Sequence, residues 1–341
     1  MKRAQWAAIT LVIALIGGAA LLLAATGHDV GRAVAALFSG SVGSWNAIAS
    51  GTLIRATPLM LTGLAVAIAF RAGVFNIGAE GQFNLGAAAA AATALSLGAV
   101  PRGVLVLVVL IVGAVAGAAW ASIAAVLRAR FRVLEVISTI MLNFVALYLI
   151  SYLVRGPLQE PTHVYPQTSS LALNAQLPRL GPATRLHLGF IVAVAACLVG
   201  AWVIRNTAGG FRLRAVGANP HAARSAGMIS PERVTMLAFL TSGALAGLAG
   251  AIEVSGVTYA LYENISPGYG YTAIAVALLA RLDAAAIIAT GFVFGALEAG
   301  GAAMQRDAGV PSVVVSVVEA GIILALIAAG RTRILPSFER R

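Results

Sequence analysis

Polar positions along this chain do not alternate regularly with apolar ones. They gather into short runs between long apolar stretches. Gly103 to Leu127 carries no charge at all, and such a stretch exceeds the roughly 20 residues needed to cross a bilayer core. The pattern predicts spans at Trp6 to Ala25, Ile48 to Phe70, Ile77 to Leu97, Gly103 to Leu127, Val133 to Val154, Leu186 to Ile204, Val234 to Val254, Tyr271 to Ala280, Ala284 to Ala303 and Ser312 to Ala329. The fold class is therefore an all-α polytopic membrane protein of about ten transmembrane helices, with residues 1–341 forming one transmembrane domain. The first span resembles a signal peptide, with Lys2 and Arg3 ahead of an apolar stretch, and in a polytopic protein it reads as an uncleaved first helix. Tyr271 to Ala280 is too short to cross alone at 1.5 Å per residue, so it is either extended by its neighbours or re-entrant and packed within protein.

Composition agrees: 60% of the 341 residues are hydrophobic and 10% are charged, against about 25% charged in a soluble domain. The net charge of +11 would suggest nucleic acid in a soluble protein. Here the arginines cluster between or beyond the apolar spans, at Arg128, Arg130 and Arg132, at Arg205, Arg212, Arg214, Arg224 and Arg233, and near both termini. The positive-inside rule assigns those clusters to the cytoplasm and makes nucleic acid the weaker reading. An even number of crossings leaves both termini cytoplasmic. Cys197 is the only cysteine, which rules out an intrachain disulfide framework.

Two connections are long. Residues 155–185 hold five of the twelve prolines and fall on the outside, as a connector or as a docking surface for an external partner. Residues 205–233 hold five arginines and fall inside. Within them "NPHAARSAGM" predicts a short helix with Asn219 as N-cap, Pro220 at the first helical position and Gly227 as the stop. Two spans can be joined by a handful of residues, so this helix implies a cytoplasmic partner that grips it. The chain carries no ATPase chemistry of its own: Lys2 is its only lysine, which leaves no Walker A motif, and it has no H-E-x-x-H and no cysteine cluster. No catalytic or metal-ligating residue is assigned. His28, His163, His187 and His221 fall in separate loops or at span ends.

The polar stretch "FRAGVFNIGAEGQFNLG", beginning at Phe70, interrupts the apolar pattern. Gly73, Gly78, Gly81 and Gly86 permit turns and close approach, and Asn76 can cap a helix starting at Ile77. Its depth is open: a second span starting at Ile48 puts it at the inner end, whereas a start near Pro58 puts it at mid-membrane. "NISPGYGYT" forms a second glycine-rich break. Spans 2–5 and 7–10 each open with a long helix followed by such a break, and they begin on opposite sides, which predicts inverted repeats with a site where the breaks meet. Glu135, Glu253, Glu298 and Glu319 are costly in lipid and are expected to face the bundle interior or a cavity. Gly113 with Gly117, Gly243 with Gly247, and Gly291 with Gly295 have the spacing of close helix packing.

The stretches "FRAGVFNIGAEGQFNLGA", "EVISTIMLNFVALYLISYLVRGPL", "LRAVGANPHAARSAGM", "SGALAGLAGAIEVSG" and "GYGYTAIAVALLARLD" resemble the permease subunits of bacterial ABC importers of the branched-chain amino acid and simple sugar superfamily. Within it the chain looks most like the nucleoside uptake permeases. "ARLD" at Ala280 to Asp283 departs from the glycine, arginine, leucine and asparagine run more usual there. The resemblance implies a bacterial plasma-membrane permease that translocates nucleosides delivered by an extracytoplasmic substrate-binding lipoprotein. It also implies a second, non-identical permease subunit and a cytoplasmic ATP-binding subunit that uses ATP and Mg, with no cofactor bound by this chain. Candidate pathway residues are Asn76, Glu80, Gln82, Asn84, Asn143, Glu253, Tyr269 and Tyr271, the carboxylates and amides being suited to ribose hydroxyls and base edges. The alternative is that they pair with neighbouring helices. Gly217, Asn219, Pro220, Ala222, Ala223, Arg224 and Gly227 are the candidate ATPase-coupling residues, Ala222 and Ala223 allowing close approach and Arg224 facing acidic groups on the partner. Competing readings are a permease for sugars or branched-chain amino acids, an ion-coupled secondary transporter, and a membrane anchor or receptor.

Overall fold

The computed structural model describes residues 27–311 apart from 228 and 229, with isolated positions between 14 and 24 and between 313 and 320. The expected spans Trp6 to Ala25 and Ser312 to Ala329 lie outside the continuously described residues. The described part is helical, with only isolated β-bridges. Its elements are α1 (Val30–Ser41), α2 (Trp45–Arg71), α3 (Ala79–Ser96), α4 (Arg102–Phe131), α5 (Glu135–Arg155), α6 (Leu188–Asn206), α7 (Ala208–Ala218), α8 (Pro220–Ser225), α9 (Pro231–Thr258), α10 (Tyr269–Leu279) and α11 (Ala286–Ala308).

Six of these, α2, α4, α5, α6, α9 and α11, are long and apolar enough to cross a membrane. The two others that coincide with expected spans are α3, polar at its start and buried over most of its length, and α10, only 11 residues long. Pro58 does not start α2 but sits inside it. The 12-residue α1 was not expected from the apolar pattern; Asp29 caps it, and it packs on α11, where an added Cβ at Gly40 would lie 2.1 Å from the Ala303 Cβ.

The bundle has two distinguishable ends. At one, Gly217 at the end of α7 touches the Arg71 carbonyl, Arg71 Nε donates to the Leu282 carbonyl at 2.7 Å, and Arg205 pairs with Asp283 at 2.5 Å. This end also carries Arg128, Arg130, Arg132, Arg212 and Arg214 and is called the basic end below. At the other, residues 156–187 fold over the chain after α9. The Thr168 N–H donates to the Leu261 carbonyl at 2.8 Å, Leu171 N–H to Tyr259 at 2.7 Å and Leu177 N–H to Ser255 at 2.8 Å. Helix α2 therefore runs toward the basic end and α9 away from it.

Packing across the bundle is reciprocal: α2 lies against α10 and α11, while α9 lies against α3 and α4. Each long helix thus packs on the second and third helices of the other group, the arrangement that two inverted repeats would produce. Lipid tails are as apolar as leucine, so helices associate here through close van der Waals contact rather than through expulsion of water. The glycine pairs provide it. An added Cβ at Gly117 would lie 2.2 Å from the Gly243 carbonyl oxygen, and one at Gly247 would lie 2.3 Å from that of Gly113. Gly291 and Gly295 of α11 face Met60, Ala56 and the Thr52 carbonyl of α2 in the same way.

Candidate functional site

Both breaks lead into the N-terminus of a half-helix, α3 or α10. The first four N–H groups of any helix have no partner within it, and in a membrane they must be satisfied by protein. Gly78, the residue before α3, has no side chain to do this. The expectation that Asn76 caps a helix starting at Ile77 is corrected: α3 begins at Ala79, and Asn76 Oδ1 accepts from the Gly78 N–H at 3.0 Å. The cap for α3 comes from another helix. Asn143 of α5 accepts from the Gly81 N–H at 2.9 Å and donates through Nδ2 to the Ile77 carbonyl at 2.9 Å.

Around that junction the amides close a network. Asn76 Nδ2 donates to Gln82 Oε1 and to Ser242 Oγ of α9, each at 2.9 Å, and Gln82 Nε2 donates back to Asn76 Oδ1 at 3.0 Å. Asn143 Nδ2 also reaches the Tyr271 hydroxyl at 3.3 Å. All these amides are buried, while Tyr271 is 44% exposed and brings the network to the surface beside α5. The second break joins at the same place. Glu80 Oε2 accepts from the Gly270 N–H of α10 at 2.7 Å, while Ser266 Oγ accepts from Gly268 and Tyr269. An added Cβ at Gly270 would lie 2.2 Å from the Glu80 nitrogen, so only glycine lets the two half-helices touch. Their positive ends converge on one carboxylate, which suits the helix dipole.

Depth follows from α9. Ser242 is 11 residues past Pro231 (242 − 231), about 17 Å from the basic end at 1.5 Å per residue. The chain leaves α2 at Arg71 near that end and climbs back to mid-bundle by Asn76.

Of the candidate pathway residues, Asn76, Glu80, Gln82, Asn143 and Tyr271 are brought together. Asn84 is buried further along α3 and takes no part in the network. Tyr269 is buried against Phe83, ring centroids 5.8 Å apart. Glu253 is separate, another 11 residues along α9 from Ser242 (253 − 242), buried with one carboxylate oxygen unpartnered among the described residues. Ser242, Ser266 and Gly270 were not foreseen. Ser242 stands at the head of the "SGALAGLAG" run, which the sequence offers only as a packing stripe.

At the basic end, Asn219 Oδ1 accepts from the His221 and Ala222 N–H groups at 3.0 Å, Pro220 opens α8, and Gly227 ends it with φ +75°. Gly217 seats α7 on the end of α2, an added Cβ lying 1.9 Å from the Arg71 carbonyl oxygen. The expected alanine pair is divided. Ala222 is exposed, but Ala223 is buried against this chain itself and offers no outward surface. Arg224 pairs with Glu232 of its own α9. Asp283, the departure in "ARLD", pairs with Arg205 and caps α11 by accepting from the Ala285 and Ala286 N–H groups. At the opposite end Arg155 makes a two-pronged ion pair with Glu263, at 2.6 and 2.9 Å, and Ser151 donates to the same carboxylate at 2.5 Å. The Arg155 guanidinium and then the Ser151 hydroxyl hold Glu263 down to about 2.

Paired broken helices meeting at mid-depth inside a glycine-packed bundle define a transport protein of the permease class. Residues 48–327 match the family described as the branched-chain amino acid transport system permease component, and the chain belongs to that family. It is 41% identical to the glucose ABC transporter permease protein TsgB13 of Haloferax volcanii, over 85% of this chain and 79% of that one. It is 39% identical to the guanosine ABC transporter permease protein NupP of Bacillus subtilis, over 93% and 90% of the two chains. It is 34% identical to the nucleoside ABC transporter permease protein NupB of Lactococcus lactis, over 92% and 88%. The last two organisms each have a second such permease protein that matches at 26%. The protein is a multi-pass permease of the plasma membrane.

Proposed function

We propose that this chain is one of two non-identical permease subunits of an ATP-driven importer of nucleosides. The observation that carries the reading is the buried amide network where α3 and α10 meet, which among the described residues reaches the surface through Tyr271. Asn76, Gln82 and Asn143 carry both donors and acceptors, the chemistry of nucleobase edges and ribose hydroxyls; in this structure they bond one another, Ser242 and the start of α3, and substrate would replace those bonds. The guanosine and nucleoside permeases among the relatives, matched over 90% and 88% of their lengths, support the substrate class. A second permease in each of those organisms supports a hetero-dimer, whose shared pathway would run along the α5 and α10 face where Tyr271 emerges.

In this reading the basic end is cytoplasmic, as the positive-inside rule requires. A cytoplasmic ATP-binding subunit, using ATP and Mg, would grip the exposed side of α8 through His221, Ala222 and Ser225, and its movement would reach Arg71 through Gly217. An extracytoplasmic substrate-binding lipoprotein would dock on residues 156–187, where Tyr165 and Leu173 are exposed. A glucose permease is the second reading, favoured by the relative at 41% identity.

The test is reconstitution of this chain with its companion permease, ATP-binding subunit and binding protein in vesicles. ATP-dependent accumulation of guanosine, unaffected by excess glucose or leucine, is the expected result. Glucose accumulation would establish the second reading, and guanosine uptake driven by a proton gradient without ATP would sink the importer.

A further inference from the structure

Between α6 and α9, beside the end of α2, lies a cleft of about 1030 Å³ that the transport site does not use. Its walls are Leu64, Ile68, Val199, Val203 and Leu237, and its mouth at the basic end holds Arg212, Arg224 and Arg233. Val199 is 60% exposed and Leu237 62%, so the cleft opens sideways into the hydrocarbon. From Pro231 at the mouth to Leu245 at the top is 14 residues of α9 (245 − 231), about 21 Å of helix, against roughly 15 Å for the apolar half of one leaflet.

Charge at the mouth is uneven. Glu232 answers Arg224, which leaves Arg212 and Arg233 without an acidic partner among the described residues. An apolar slot one leaflet deep, ending in uncompensated guanidinium groups, fits one molecule class: a chain-bearing anion whose phosphate two arginines can hold. We infer that the cleft binds an anionic phospholipid of the cytoplasmic leaflet, acyl chains between α6 and α9 and phosphate at Arg212 and Arg233. A segment of this chain is not the occupant the structure favours, because its described ends pack elsewhere: Leu23 and Val314 cluster with Ala33, Ala36 and Met304 around α1 and α11. Since Arg224 of α8 lines the same mouth, the lipid would sit directly behind the helix proposed to meet the ATP-binding subunit.

The test is native mass spectrometry of the full-length permease with phosphatidylglycerol and phosphatidylcholine added in equal amounts. Wild type should retain phosphatidylglycerol by roughly 25-fold over phosphatidylcholine, at about fivefold for each of the two arginines. Arg212→Gln with Arg233→Gln should erase the preference, and Leu237→Trp, which fills the slot and leaves the arginines, should reduce retention of both lipids. All three substitutions lie at exposed positions, so the variants should fold. Equal retention of the two lipids by wild type, or an unchanged preference in the double variant, would overturn the inference. So would displacement by inorganic phosphate with no effect of Leu237→Trp, which marks a free-anion site. Cross-linking of Leu237→Cys to a second permease subunit in membranes would give the cleft to that subunit instead.

Discussion

The two breaks solve one problem by different means. After α2, the chain reverses inside the bundle, and two side-chain amides satisfy the start of α3, Asn76 beside it and Asn143 on α5, with the Ser242 hydroxyl of α9 accepting from Asn76. After α9, residues 259–268 lie toward the far end. There the backbone pairs with the covering loop through Tyr259 and Leu261, and a local hydroxyl, Ser266, caps α10. Backbone groups freed within a membrane protein must be satisfied by protein or by water in a cavity. Deep in the bundle only side chains reach them, whereas near the surface a second backbone segment can. The first break is therefore tied to the helices around it, and the second both to α3, through Glu80, and to the loop at residues 156–187.

The largest effect should come from the junction between them. Gly270→Val would drive a side chain into the Glu80 backbone, and overpacking of this kind costs about 1–3 kcal/mol or more. Uptake should fall by roughly a hundredfold with a lowered melting temperature. Wild-type uptake in that variant would mean that the breaks separate freely and that their contact is incidental.

Next is Asn143→Leu, which leaves the Gly81 N–H and Ile77 carbonyl without their partner. Stranding the buried Gly81 N–H costs about 1–3 kcal/mol, and the part-buried Ile77 carbonyl adds less. Thermal unfolding in detergent should show the loss. If stability holds while uptake falls, Asn143 serves substrate rather than the fold. Ser266→Ala should be milder, since removing an N-cap costs about 1 kcal/mol. An effect equal to that of Asn143→Leu would erase the distinction between a break capped from a distant helix and one capped by a local hydroxyl.

The smallest effect concerns pH. Glu263 is held down to about 2 by Arg155, so its pair with Arg155 contributes fully above the unfolded-chain value of about 4.3 and fades as pH falls from there toward 2. Protease cleavage of residues 156–187 should be constant from about pH 5 to 8 and rise only below about pH 4. A rise near pH 6 would assign the closure to other groups.

Eight of the ten apolar stretches coincide with helices, because a segment that crosses lipid must bond its own backbone and be apolar along its length, and both demands are written locally. The Asn219 cap, the Gly227 stop and the glycine pairs were legible for the same reason, each resting on residues a few positions apart. The two breaks could be read from their glycines. What they pair with could not. Ser242 lies 166 residues from Asn76, and Gly270 lies 190 from Glu80. No periodicity links such positions; only the packing of α9 and of α10 on α3 brings them within a hydrogen bond. The same holds for Ala222 and Ala223, neighbours of one type in sequence, of which the fold exposes one and buries the other. Sequence alone determined where eight apolar stretches must be helical and where the chain must break between them, though not the helix α1, since the membrane imposes those terms residue by residue. Tertiary structure decided which broken ends meet, at what depth and through which amides, because those contacts depend on how distant helices approach one another at their glycines.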